Sequence, residues 1–246
     1  MTLIVAVRCT DGVVIGTDSA SMDYETGLKQ PVIKIKRVDE LPILYGGSGD
    51  VGLIQKIDEC LAKLTEGPSL KALRQKIKKL ILPELKDAID EHVAYPQQGF
   101  NTPPPAILLF AGVFKGFPWI LEIEKDGRDT MYDANLGNFA AIGSGKPWAQ
   151  AIFRPHLTTE RDLNLGKIFT RRVLEDAIDL AAGGLARPIH IHTITLDGTV
   201  AQVEDPEKTG LREACDIWRS LEREAVGKLL ARNQVEDVTP DIPVPG

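Results

Sequence analysis

The sequence is short of the features that would anchor it in a membrane, cross-link it or bind it to polyanions. Its three cysteines, Cys9, Cys60 and Cys215, form an odd, scattered set without C-x-x-C spacing. Neither a disulfide framework nor a zinc knuckle is supported, and a reducing compartment is expected. No run approaches about 18 consecutive apolar residues, and no charged-then-apolar leader precedes a small-residue cleavage site, so the cytoplasm is the expected location. Basic charge is also in deficit. The 29 Lys and Arg face 35 Asp and Glu, for a net charge of -6. That argues against nucleic acid or an anionic membrane as principal partner, because counterion release needs clustered, excess Lys and Arg. What is present is an ordinary globular balance, 43% hydrophobic and 26% charged over 246 residues, enough to bury a core without staples.

Strand signals open the chain. Thr2 to Cys9 and Val13 to Thr17 are rich in β-branched residues and flank Thr10-Asp11-Gly12, which reads as a hairpin. Val32 to Val38 alternates Ile33 and Ile35 with Lys34 and Lys36, and Ile43-Leu44-Tyr45 runs into Gly46-Gly47-Ser48-Gly49. From Asp50 the apolar period becomes three and four, predicting a helix to Leu64. A second runs from Leu70 to about Ala94, with Pro83 expected to bend or interrupt it. Strands return at 106–114, 118–124, 130–134 and 139–142, and helical spacing near Trp148 and over 164–182, stopping at Gly183-Gly184 as a left-handed cap would. A hairpin around Asp197-Gly198 and an amphipathic helix over 208–232 complete the pattern. Hairpins separated by helix pairs, without a parallel βαβ rhythm, predict an α+β fold: a four-layer α-β-β-α sandwich of two antiparallel sheets. The expected organisation is one domain over 1–232 and a tail over 233–246. Pro240, Pro243 and Pro245 keep that tail from being helical.

The first hairpin also frames the candidate chemistry. A three-residue Thr10-Asp11-Gly12 loop with a glycine bulge would set Cys9 against Val13 and Ile4 against Asp18, putting Thr2 and Asp18 on one face as diagonal neighbours. A two-residue Asp11-Gly12 loop would send Asp18 to the other face. Asp18 comes after an apolar strand, where a carboxylate needs a cation or several donors, and Lys34 on the next candidate strand could supply the cation. Taken singly, each residue has a plain structural reading: Asp18 with Ser19 as an Asx turn, Lys34 with Lys36 as the solvated face of a strand. His190 and His192 share a strand face, but two imidazoles without a nearby carboxylate or thiolate are a poor metal site. Gly143-Ser144-Gly145-Lys146 lacks the full phosphate-loop spacing. Trp119, Trp148 and Trp218 are expected in the core or at a subunit interface. No cofactor and no metal are expected.

Taken together, Thr2 after Met1, Gly16-Thr17-Asp18-Ser19 sixteen residues on, Lys34 sixteen further, the glycine cluster before a helix and Ala141-Ile142-Gly143-Ser144-Gly145 resemble the proteasome β-subunit and HslV peptidases. These are threonine peptidases of the N-terminal nucleophile hydrolase fold. The resemblance spans roughly residues 2–200 and needs no gap across the first 34. The start at Thr2 without a long propeptide makes it most similar to HslV and to bacterial proteasome homologues of the BPH type.

The resemblance implies that Thr2, freed by Met1 removal, is the nucleophile and its own amine the base. Lys34 touches the hydroxyl, Asp18 pairs with Lys34, Ser144 with Asp179 holds the amine, and a backbone N–H of Gly46 or Gly47 receives the oxyanion. An amine with an unperturbed pKa of about 7.7–8.0 suits that task near neutrality, and fixed donors best meet developing negative charge. Ala182 stands where the family pattern has a serine, and the Lys34–Gly46 loop is shorter than in typical β subunits, so the choice between the glycines stays open. Implied partners are copies of the chain in a stacked double ring of six or seven subunits each, unfolded polypeptide as substrate and an ATP-dependent unfoldase. The alternatives are a non-catalytic ring or scaffold subunit and an amide hydrolase or transpeptidase of the same fold.

Overall fold

The computed structural model describes residues 2–22, 29–94, 106–132, 136–156, 160–180, 184–203 and 210–233. Met1, Ala182, Gly183 and the tail over 234–246 lie outside them. In chain order come β1 (Ile4–Cys9), β2 (Gly12–Thr17), β3 (Ala20–Met22), β4 (Lys29–Pro31), β5 (Lys36–Arg37), β6 (Ile43–Ser48), α1 (Val51–Leu61) and α2 (Leu70–Ala94). The second half holds β7 (Ile107–Phe114), β8 (Phe117–Ile123), β9 (Asp129–Tyr132), β10 (Phe139–Ile142), α3 (Lys146–Phe153), α4 (Leu163–Leu180), β11 (His190–Thr195), β12 (Val200–Gln202) and α5 (Gly210–Asn233).

Two five-stranded antiparallel sheets, ordered β10-β1-β2-β11-β12 and β5-β6-β7-β8-β9, pack face to face. Strand alternation builds the layer between them: Ile4, Ala6, Val13 and Ile15 from one sheet meet Leu44, Leu109, Ala111 and Ile120 from the other. The opposite faces carry the helices. Asp50 caps α1 by accepting the Leu53 N–H at 2.7 Å. Leu53, Ile57 and Leu61 of that helix join Leu73, Ile77, Ile81 and Leu85 of α2 over Ile43, Phe110 and Leu121. On the other side Ala149 and Phe153 of α3 and Phe169, Val173, Leu174 and Ala177 of α4 cover Leu3, Val5, Val7 and Val14. The α-β-β-α sandwich is therefore the architecture, with α5 laid against α4. Trp119 is core and Trp218 packs partly buried beside α4, while Trp148 is 45% exposed.

Three local expectations need correction. Of the two effects expected of Pro83, interruption does not occur: helix α2 runs through it, because the buried Leu73, Ile77, Ile81 and Leu85 stripe on both sides of it holds the helix to the sheet. The first hairpin has a two-residue connection: Cys9 pairs with Gly12 and Ile4 with Thr17, so there is no bulge and the register is one residue off the expected one. The Val32–Val38 run is not one strand. Only Lys36–Arg37 pairs, with Tyr45 and Leu44; residues 32–35 stand outside any ladder, which frees their side chains from strict alternation.

Candidate active site

The start of β1, the end of β2 and the unpaired segment before β5 converge on one carboxylate. Since β2 stops at Thr17, the strand pleat no longer dictates where Asp18 points. That is how it reaches the site despite the shifted register. Its Oδ1 accepts the Leu3 N–H at 2.9 Å, and its Oδ2 accepts the N–H groups of Ala20 at 3.0 Å and Ala186 at 3.4 Å. Lys34 Nζ donates to Oδ1 at 2.7 Å. Both side chains are withdrawn from water, 7% exposed for Lys34 and 0% for Asp18. Burial pushes the Lys34 ammonium below the ordinary lysine value, and the Asp18 charge pulls the other way. A buried carboxylate with one cation and three backbone donors is a fixed fixture rather than a solvated surface group.

Thr2 is held from the neighbouring strand. β1 pairs with β10 so that Ile4 faces Ile142, and two more residues of that register bring Thr2 opposite Ser144. The Thr2 nitrogen donates to Ser144 Oγ at 3.2 Å, Ser144 Oγ donates back to the Thr2 carbonyl at 3.5 Å, and the Gly145 N–H donates to that carbonyl at 3.2 Å. Gly143 has φ +92°, and a Cβ there would stand 2.1 Å from the Thr2 carbonyl oxygen. The turn closes this tightly on Thr2 only because that position is glycine.

Thr2, Lys34, Gly47, Ser48 and Ser144 line one cleft of about 460 Å³, whose further walls include Ala20, Val32, Val51 and Ile54. Gly47 is on the cleft wall. At Gly46 a Cβ would meet Ile4 Cδ1 at 2.7 Å and the Lys34 carbonyl oxygen at 2.9 Å, so this residue sits against the interior. Asp179 is not brought to the cleft among the described contacts: its side chain is 63% exposed near the end of α4, and its carboxylate lies 3.9 Å from Arg187. The position that links this helix to the site is Glu175, which accepts from Arg171, Arg187 and Arg219. Against the upward push of burial, Arg187 and Arg219 hold its carboxyl down to about 2. Glu175 thereby anchors the segment whose Ala186 N–H reaches Asp18.

The sequence reading missed two parts of this arrangement. One is the set of backbone donors on Asp18, which no side-chain pattern announces. The other is Glu122 on β8, 3% exposed on the cleft wall and bonded by Lys146 Nζ and, at 2.7 Å, by the Tyr132 hydroxyl. Its signal was legible: a lone glutamate in the apolar run Trp119-Ile120-Leu121-Glu122-Ile123.

Comparisons with known proteins bear on the family and the fold. The family model described as Proteasome subunit matches residues 2–186. The chain is similar in structure to the Anbu (Gly-1) mutant from Hyphomicrobium sp. strain MC1, with a TM-score of 0.71 and 16% identity over 93% of this chain and 99% of that one. No curated protein sequence matches it.

Proposed function

As this chain belongs to the proteasome subunit family, we propose that it is a threonine endopeptidase subunit whose nucleophile is Thr2, exposed by removal of Met1. The nitrogen that is an amide N–H while Met1 is attached becomes a free amine in the same position, beside Ser144. That amine takes the hydroxyl proton, and the Lys34 ammonium, held by Asp18, stabilises the oxygen as it attacks the peptide carbonyl. The Thr2 oxygen–carbonyl carbon bond forms. The peptide C–N bond then breaks, its nitrogen receiving the proton from the amine, and water later hydrolyses the ester. Gly47, on the cleft wall, is the better of the two glycines to offer its N–H to the oxyanion. Asp179 is given no part in this proposal, because its described contact is with Arg187 and not with Thr2 or Ser144.

The observation that carries the reading is the buried Lys34–Asp18 pair in the same cleft as Thr2. A scaffold subunit has no use for a desolvated ion pair at that place, since an apolar replacement would serve stability at least as well. Family subunits assemble into rings, and the proposed substrate is unfolded polypeptide admitted to the interior of a double ring of copies of this chain, with an ATP-dependent unfoldase as partner in the cytoplasm. Intact-mass analysis tests the chemistry. The chain should lack Met1 and gain the mass of an electrophilic threonine-protease inhibitor, while Thr2→Ala gains none and hydrolyses no peptide. Turnover by Thr2→Ala, or a chain that retains Met1 and takes no adduct, would favour the scaffold or another hydrolase.

A further inference from the structure

We propose that Lys146 and Glu122 form a clamp across the two sheets that positions Ser144 against the Thr2 nitrogen. The inference rests on the reading of Thr2 as nucleophile. Ser144 is the exposed middle of a turn between Gly143 and Gly145, with no helix or ladder of its own to hold it: β10 ends at Ile142 and α3 begins at Lys146. Lys146 supplies the hold from the C-terminal side. It donates its backbone N–H to the Gly143 carbonyl at 3.0 Å, closing the turn, and sends its side chain over to the opposite sheet.

There it meets Glu122. In the register of that sheet Glu122 lies opposite Leu109, and Leu109 opposite Gly46, so its side chain shares the inward face with Leu109 and points into the sandwich. Glu122 is almost fully buried and has two fixed partners, Lys146 on one oxygen and the Tyr132 hydroxyl on the other. Glu124, 3.8 Å from Lys146, adds a second acid to the same cation. A buried carboxylate in a satisfied network is a rigid anchor. Lys146 is covalently two residues from Ser144, so the anchor fixes the turn relative to β8 as well as to β10. Pairing with β10 sets Ser144 along the strand; the clamp sets its depth in the cleft.

Lys146 and Glu122 are thus positioning residues, acting through Ser144 and not on the reacting atoms. Displacements of about 1 Å at such sites cost up to about 100-fold in rate. Using a short peptide with a fluorescent amide leaving group, Lys146→Met should lower kcat about tenfold with little change in KM, and Lys146→Arg should restore most of it. The decisive measurement is a double-mutant cycle: in a Ser144→Ala background Lys146→Met should add almost nothing, because the group being positioned is already gone. Independent, multiplicative losses overturn the clamp, as does a loss confined to KM, which would make Lys146 a substrate contact. Should Lys146→Met fail to fold with Glu122 left charged and unpaired, Lys146→Met with Glu122→Gln removes both charges and must still be slow; wild-type kcat in that variant overturns the proposal. Turnover that survives Thr2→Ala overturns the nucleophile reading itself, whereas Thr2-dependent turnover with additive losses overturns the clamp alone.

Discussion

Lys34 and Lys36 belong to adjoining stretches of one extended run, and they end in opposite circumstances. Residues 32–35 have no ladder partner; Lys34 turns inward to Asp18, Ile33 is 70% exposed and Ile35 is buried. Two residues later the chain is paired as β5, and Lys36, 39% exposed, reaches Asp58 on α1. The same residue type in the same alternation gives a buried pair serving a cleft and a half-exposed pair tying a strand to a helix. What separates them is which acid stands opposite and whether that acid has other donors, because desolvation is offset only where the carboxylate is fully bonded. Asp18 has three backbone N–H groups besides Lys34.

The sharpest way to break this contrast is at the buried end. Lys34→Ala should lower kcat/KM by roughly 100- to 1,000-fold, the range for loss of a fixed donor that stabilises developing negative charge, and should destabilise the fold by about 3–5 kcal/mol because Asp18, still bonded by its three backbone N–H groups, loses its counter-ion while buried. Adding Asp18→Asn should recover most of the stability, read by chemical denaturation, and none of the activity. Recovered activity in the double variant would make the pair structural.

A smaller effect is expected where Gly46 presses on the backbone of Lys34. Gly46→Ala would drive a methyl against the Lys34 carbonyl and Ile4, costing about 1–3 kcal/mol and lowering activity by moving Lys34. Gly47→Ala meets mainly the flexible end of Ile54 and the Leu108 methyl, so its denaturation midpoint should fall less. Equal midpoints would show that Lys34 is not held by this contact.

The pH profile separates the two stretches by charge. If the Thr2 amine is the base, as proposed, it must be neutral to accept a proton, so activity should fall as pH drops and the amine protonates. The Lys34 cation disfavours that second positive charge and sets the acid limb somewhat below about 7.7–8.0. Lys36→Ala should leave the limb where it is. Burial lowers the imidazoles of His156, His190 and His192 from the ordinary value, so a histidine base would give a limb lower still. Replacing His92, His156, His190 and His192 together should leave the limb of log(kcat/KM) in place; its disappearance would overturn the amine as base.

Periodicity made the layers legible: the three-and-four spacing from Val51, the β-branched run at 2–9 and the apolar run at 106–114 correspond to α1, β1 and β7. The Thr2, Asp18 and Lys34 spacing needs no gap, and the structure brings Thr2 and Lys34 to one cleft with Asp18 on Lys34, through a hairpin register and an unpaired segment that the spacing does not announce. A one-residue difference at Thr10-Asp11 inverts a strand face, and no local signal distinguished the two loops. The alternation of Ile33 to Lys36 likewise says nothing about whether a neighbouring strand exists to enforce it. Asp179 rests on resemblance alone: spacing along a helix does not fix which residue of that helix turns toward a site, and the described contact of its carboxylate is Arg187, at 3.9 Å. Contacts made by backbone N–H groups, such as those on Asp18, are set by where chain segments end, which pattern reading does not resolve.

The smallest effect belongs to Lys36. Its ammonium is bonded to Asp58, which also accepts the Tyr45 hydroxyl at 2.9 Å; both charged side chains keep water contact, at 39% and 20% exposure. Water screens such a pair, and the entropy of holding a long lysine offsets much of its attraction, so pairs of this kind contribute about 0–1 kcal/mol. Lys36→Ala also leaves Asp58 with the Tyr45 hydroxyl and solvent, so no carboxylate is stranded as Asp18 would be. Lys36 does line the cleft, and a modest change in KM is compatible with that; kcat should stay within about twofold. A stability loss above about 2 kcal/mol, or a kcat falling as far as in Lys34→Ala, would mean that the two lysines act as one unit and that their difference in burial decides nothing.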